Sequence, residues 1–138
     1  MIKEGEVMLK NLRILCVDDE ATIARTLAKI VKNKGAISRE AHDVQEAMTA
    51  IGELYPNVII TDLEMPERAG GSVYDIAGLL LATKAKEIST AIKVILYTAR
   101  SKEEITPDID FFVDGYIRKP SRKDIILSVV RTAGLAFA

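Results

Sequence analysis

Three carboxylates, a hydroxyl and an ammonium each stand at the end of a short apolar run. Asp18 and Asp19 follow Arg13–Val17, Asp62 follows Val58–Ile60 with Thr61 between, Thr98 follows Val94–Tyr97, and Lys119 follows Gly115–Arg118. If the runs are strands of one parallel sheet, all these ends share a single edge, where such sheets bind ligands. Carboxylates gathered there repel one another, so one must keep a proton or a cation must enter. Oxygen ligands without His or Cys favour a hard ion, and a near-octahedral site completed by water suits Mg²⁺. A divalent ion on carboxylates also holds phosphate oxygens. Lys119 adds a positive charge, and the Thr98 hydroxyl can donate to a further oxygen. That set is equipped for in-line phosphoryl transfer, in which positioning and charge neutralisation do most of the work. A carboxylate nucleophile yields an acyl phosphate. Asp62 takes that role because it ends the most apolar strand and is the most rigidly placed of the three.

The elements that must position these groups are legible as alternating β-branched runs and stretches of helical period, the pattern of βαβ units. After the first strand, Ile23, Leu27, Ile30 and Val31 share a helical face, and Gly35 suits a left-handed cap behind Asn33 and Lys34. Residues 36–40 form a weaker edge strand. Asp43 with Glu46 has the spacing of a capping box ahead of Val44, Ala47, Met48 and Ile51. Val58–Ile60 is a central strand buried on both faces. A loop with Pro66, Gly70 and Gly71 leads to a third helix facing inward through Val73, Ile76, Ala77, Leu80 and Leu81. Gly115–Arg118 reads as the fifth strand, with an earlier start at Phe111 left open. Ser121 caps a last helix with Ile125, Ile126, Val129 and Val130. Five such units predict a doubly wound α/β sheet with helices on both faces and right-handed crossovers.

Composition narrows the classes of function. The 138 residues are 49% hydrophobic and 28% charged, the balance of one globular domain. With 19 basic and 20 acidic residues the net charge is −1, and no Lys/Arg run suggests nucleic-acid or membrane binding. The single cysteine, Cys16, precludes an internal disulfide and reads as an inert core residue. No stretch is long enough to span a bilayer and the start lacks signal-peptide character, so a cytoplasmic location is expected. His42 reads as a turn or surface residue. Gly70 and Gly71 fit neither a P-loop nor a dinucleotide fingerprint.

Val17-Asp18-Asp19-Glu20, Asp62-Leu63-Glu64-Met65-Pro66 with Gly70, Thr98-Ala99, and Gly115 through Pro120, taken in that order, resemble the receiver domain of two-component response regulators. The resemblance covers residues 12–131. It implies a flavodoxin-like, five-stranded parallel sheet of order 2-1-3-4-5, the order that a receiver of this kind illustrates. It implies Asp62 as phosphoacceptor, and Mg²⁺ held by Asp18, Asp19, Asp62 and the backbone carbonyl of Glu64. Lys119 would pair with phosphate ahead of a cis peptide at Pro120, and Thr98 and Tyr116 would be a switch pair. Ala99 would leave phosphate access open. The donor would be a phosphohistidine on a histidine kinase or phosphotransfer protein, and the output a protein contact. Such a domain is a phosphoacceptor that catalyses its own phosphorylation and slow dephosphorylation, not an enzyme acting on others.

Residues 1–10 read as an N-terminal arm and 11–138 as the receiver domain. The sequence departs from the family pattern over residues 100–114. Pro107 interrupts the expected fourth helix, which is predicted to be short or distorted. The stretch from Leu79 to Ile92 is longer than usual. A stand-alone receiver without an output domain is the expected form. A fragment of a longer regulator or hybrid kinase would read the same. A Mg²⁺-dependent aspartyl-phosphate phosphohydrolase is the alternative of another class, disfavoured because Glu64 stands where its second Asp would be.

Overall fold

A computed structural model describes residues 8–137. Its strands and helices are β1 (Arg13–Val17), α1 (Ala21–Lys32), β2 (Ile37–Ala41), α2 (Val44–Leu54), β3 (Val58–Thr61), β4 (Met65–Pro66), β5 (Val73–Tyr74), α3 (Ala77–Ile88), β6 (Lys93–Thr98), α4 (Lys102–Ile105), β7 (Gly115–Arg118) and α5 (Lys123–Gly134). Five strands form a parallel sheet of order β2-β1-β3-β6-β7. Without the small β4–β5 hairpin, this is the order 2-1-3-4-5 that the resemblance implies.

The sheet is buried on both faces because its central strands carry unbroken apolar runs, Ile14–Val17, Val58–Ile60 and Val94–Tyr97. Period-two alternation sends Leu15, Val17, Ile59, Val94 and Leu96 to one side, where they pack with residues of α2 and α3. Ile14, Cys16, Ile60, Ile95 and Tyr97 go to the other side, with α1 and α5. Burial raises the Cys16 thiol far above its ordinary range, so it stays protonated and inert. Ile37, on the edge strand β2, is exposed. Leu9, within the stretch read as an arm, packs into the second cluster, and its N–H donates to the Lys34 carbonyl at 2.7 Å. Residues 1–7 of that arm lie outside the described residues.

Several local expectations are met. Gly35 has φ of +100°, Asp43 accepts the Glu46 N–H at 2.7 Å, and the Lys119–Pro120 peptide is cis. The Asp43 cap is one-sided, since the Glu46 carboxylate stands 3.3 Å from His42. The region after β6 is broken: α4 has four residues, and a 3-10 turn at Ile109–Phe111 follows.

Other expectations are corrected. α3 starts only at Ala77, because Val73 and Tyr74 pair antiparallel with Pro66 and Met65. Val73 and Ile76 are exposed, and the inward face of α3 is Ala77, Gly78, Leu79, Leu81, Ala82 and Ala85. Their spacing imitated one helical face, but the hairpin claimed the backbone first. β2 begins at Ile37 rather than Ala36, while β7 spans the expected Gly115–Arg118 without extending back to Phe111, which is 85% exposed. Arg122, not Ser121, is the N-cap of α5, with no side-chain cap bond. Ile125 is exposed and Leu127 takes its place inside.

α3 is seated directly on the end of β3. The Gly78 N–H donates to the Leu63 carbonyl at 2.9 Å, and a Cβ at Gly78 would collide with the Asp62 carbonyl oxygen and crowd Leu63 and Leu96. Gly78→Ala is therefore expected to cost roughly 1–3 kcal/mol as overpacking against backbone that cannot rotate aside. A urea melt with an unchanged slope and a lowered midpoint would register it; an unmoved midpoint would show that α3 is not seated this way.

Candidate functional site

The register decides which residues meet. Val17 pairs with Thr61 across β1 and β3, so the residues that follow them, Asp18 and Asp62, leave the sheet side by side. The Asp62 N–H donates to the Val17 carbonyl at 2.9 Å, and the Asp18 N–H to the Ala41 carbonyl at 3.0 Å. One carboxylate oxygen each from Asp18, Asp19 and Asp62 lies within 4.8 Å of the others. Asp18 is buried, Asp62 half-buried and Asp19 exposed. Lys119 reaches in from the end of β7, with Nζ 2.7 Å from Asp18 Oδ2 and 3.4 Å from Asp62 Oδ2.

Backbone donors orient the carboxylates. Leu63 N–H donates to Asp62 Oδ1 at 2.8 Å, and Glu20 N–H to Asp18 Oδ1 at 2.9 Å. Asp18 thus turns back on the chain before α1, whose N-cap Glu20 makes no side-chain cap bond. Burial, then the negative charge of Asp18, pushes the Asp62 carboxyl up to about 6, while Lys119 and the Leu63 N–H pull the other way. Burial and Asp18 also raise the Asp19 carboxyl. Burial works against the Lys119 ammonium, but its hydrogen bond to Asp18 and the charges of Asp62 and Asp18 outweigh that and raise it. The cluster is an anionic, all-oxygen pocket with one resident cation, a donor set that fits a hard divalent ion.

Thr98 and Tyr116 sit on the neighbouring strands and engage the backbone of Arg100. Thr98 is buried, and its Oγ1 accepts the Arg100 N–H at 3.3 Å. The half-buried Tyr116 donates its hydroxyl proton to the Arg100 carbonyl. Lys102 lies 5.7 Å from the centre of the Tyr116 ring and 3.4 Å from Asp110, tying the broken α4 region to that tyrosine. The Glu64 side chain forms an ion pair with Arg100, Nε to Oε1 2.5 Å. Arg100 escaped the sequence analysis because nothing in its spacing tells that its guanidinium bridges the loops after β3 and β6.

A doubly wound parallel sheet with this acidic rim and a lysine from its last strand defines the receiver class of signalling domain. The chain belongs to the response regulator receiver domain family, whose model matches residues 14–131. It is 32% identical over 119 residues to the phosphate regulon transcriptional regulatory protein PhoB of Klebsiella pneumoniae, covering 85% of this chain and 49% of that protein. It is 28% identical over 120 residues to the DNA-binding response regulator MtrA of Mycobacterium tuberculosis, covering 86% and 49%. The chain thus spans about half the length of the curated relatives it matches. A CheY-like receiver domain protein of Methanospirillum hungatei superposes with a TM-score of 0.74 at 26% identity, over 90% of this chain and 92% of that one. The chemotaxis response regulator CheY4 of Vibrio cholerae, 21% identical, shares the fold with a TM-score of 0.73 over 88% and 98%.

The raised Asp62 carboxyl has a measurable consequence. Unfolded, it titrates near 3.8; folded, near 6. Between those values the folded chain holds a proton that the unfolded chain has shed, so stability falls as pH rises through this window. Without divalent cations, the wild type is expected to lose on the order of 1–3 kcal/mol relative to Asp62→Asn between pH 4 and pH 7. Urea melts across that range measure the difference; parallel curves for the two proteins would contradict the raised Asp62 carboxyl.

Proposed function

We propose that this chain is a phosphoacceptor that receives a phosphoryl group on Asp62 from a histidine kinase or phosphotransfer protein and signals through a protein contact. The observation that carries the reading is the convergence of Asp18, Asp19 and Asp62 within 4.8 Å, with Lys119 Nζ 3.4 Å from Asp62. Asp18, Asp19, Asp62 and the Glu64 carbonyl would hold Mg²⁺, which when bound neutralises the carboxylates and phosphoryl oxygens. In the transfer an Asp62 carboxylate oxygen bonds to phosphorus as the bond to the donor's leaving atom breaks, and the electron pair departs with the donor. The Leu63 N–H fixes the plane of the attacking carboxylate through Oδ1. Lys119 neutralises charge on the transferred group from the side of Asp62 Oδ2. Thr98 then releases the Arg100 N–H and donates its hydroxyl proton to a phosphoryl oxygen, and Tyr116 gives up the Arg100 carbonyl as it turns inward. Phosphorylation biases this two-state element only by the differential contacts it makes in one state. The phosphohydrolase alternative finds no support in the geometry, because the Glu64 carboxylate it would need as acid–base is held by Arg100.

The test is direct. Acetyl phosphate with Mg²⁺ is expected to add one phosphoryl group, seen by intact mass, and Asp62→Asn or a chelator should abolish the gain. Lys119→Met is expected to slow labelling by at least about a hundredfold, as loss of a preorganised charge at the reacting centre does. Labelling that persists unchanged in Asp62→Asn refutes the assignment.

A further inference from the structure

Lys119 has a partner besides the carboxylates. Tyr97 and Ile117 are register partners on β6 and β7. Both face α1 and α5, in one cluster with Ile126. Lys119 lies two residues beyond Ile117, just past the end of β7, and its long side chain reaches the Tyr97 ring. The Lys119 Nζ stands 5.4 Å from the centre of that ring. Tyr97 is 8% exposed and the Lys119 side chain 15%. The ammonium is therefore held between two carboxylates and an aromatic face, in a place largely withdrawn from water.

This arrangement answers a positional problem. A lysine carries its charge on a flexible four-carbon stem. Asp18 attracts it at 2.7 Å and Asp62 at 3.4 Å, so the nearer pull is toward the residue that is not the acceptor. A ring face attracts a cation through its quadrupole, most strongly where water is excluded. With the ring as a second support beside Asp18, the ammonium keeps its place when the charges around it change.

We propose that Tyr97 is a positioning residue for phosphoryl transfer, its ring face holding the Lys119 ammonium beside Asp62. The inference rests on the reading of Asp62 as phosphoacceptor and adds a residue to it. Tyr97 touches no reacting atom and acts only through Lys119. The attraction belongs to the ring and not to the hydroxyl, so phenylalanine is expected to serve at this position and an aliphatic residue of similar bulk is not.

The experiment measures the rate constant of Asp62 labelling by acetyl phosphate at fixed Mg²⁺ in the full chain. Tyr97→Phe is expected to stay within about twofold of wild type, and Tyr97→Leu to fall about three- to tenfold, the size of a cation–π attraction at a mostly desolvated pair. The deciding series keeps Phe at position 97 and adds one, two and three ring fluorines. Fluorination drains the ring quadrupole with little change of volume, so the logarithm of the rate should decline stepwise. A flat series overturns the proposal even if Tyr97→Leu is slow, because packing alone would then account for the loss. The series retains the ring, so it decides the matter if the leucine variant folds poorly. Labelling that survives Asp62→Asn would sink the site reading itself, whereas Asp62-dependent labelling with a flat fluorine series sinks only the role of Tyr97.

Discussion

The side chains of Asp18 and Asp62 leave adjacent strands at the same level, so two carboxylates are forced together where water is scarce. Charges so placed are costly unless compensated, and the compensation comes from Lys119, 101 residues away from Asp18 in the chain. This contact ties the last strand to the first across the sheet's carboxyl edge. It also sets the state of the pocket: burial and then the charge of Asp18 hold the Asp62 carboxyl up near 6, against the pull of the lysine. The cluster of Asp18, Asp19 and Asp62 has the all-oxygen donor set that suits a hard cation.

The rim divides into two halves joined at Arg100. On one side are the carboxylates, Lys119 and its aromatic support. On the other are Thr98, Tyr116 and the broken α4 region. Arg100 offers its N–H to Thr98, its carbonyl to Tyr116 and its guanidinium to Glu64. A displacement of the loop after β6 therefore disturbs all three contacts together. The short α4 and the 3-10 turn leave Phe111 standing 85% exposed beside Asp108 and Asp110, which gives this face an acidic and aromatic character.

How much could be read beforehand follows from which interactions are local. The central strands announced themselves through unbroken apolar runs, since burial on both faces leaves no polar position. Asp43 capping α2 and the left-handed Gly35 were legible because each depends on a few neighbouring residues. The start of α3 was misread because Val73 and Ile76 mimic a helical face, while their partners, Pro66 and Met65, lie across a loop. The cap of α5 slipped from Ser121 to Arg122, a one-residue shift that propensity does not resolve.

The amino-acid sequence alone determined the alternation of strands and helices, the residues placed at the strand ends and the resemblance to receiver domains, because apolar period and residue type at a turn are properties of short segments. Tertiary structure decided the rest. Strand register put Asp18 beside Asp62, the pairing of β6 with β7 brought the Tyr97 ring within reach of Lys119, and the crossing of two loops gave Glu64 to Arg100. These are contacts between segments distant in the chain, and their distances are set by how the sheet is assembled, which no local pattern encodes.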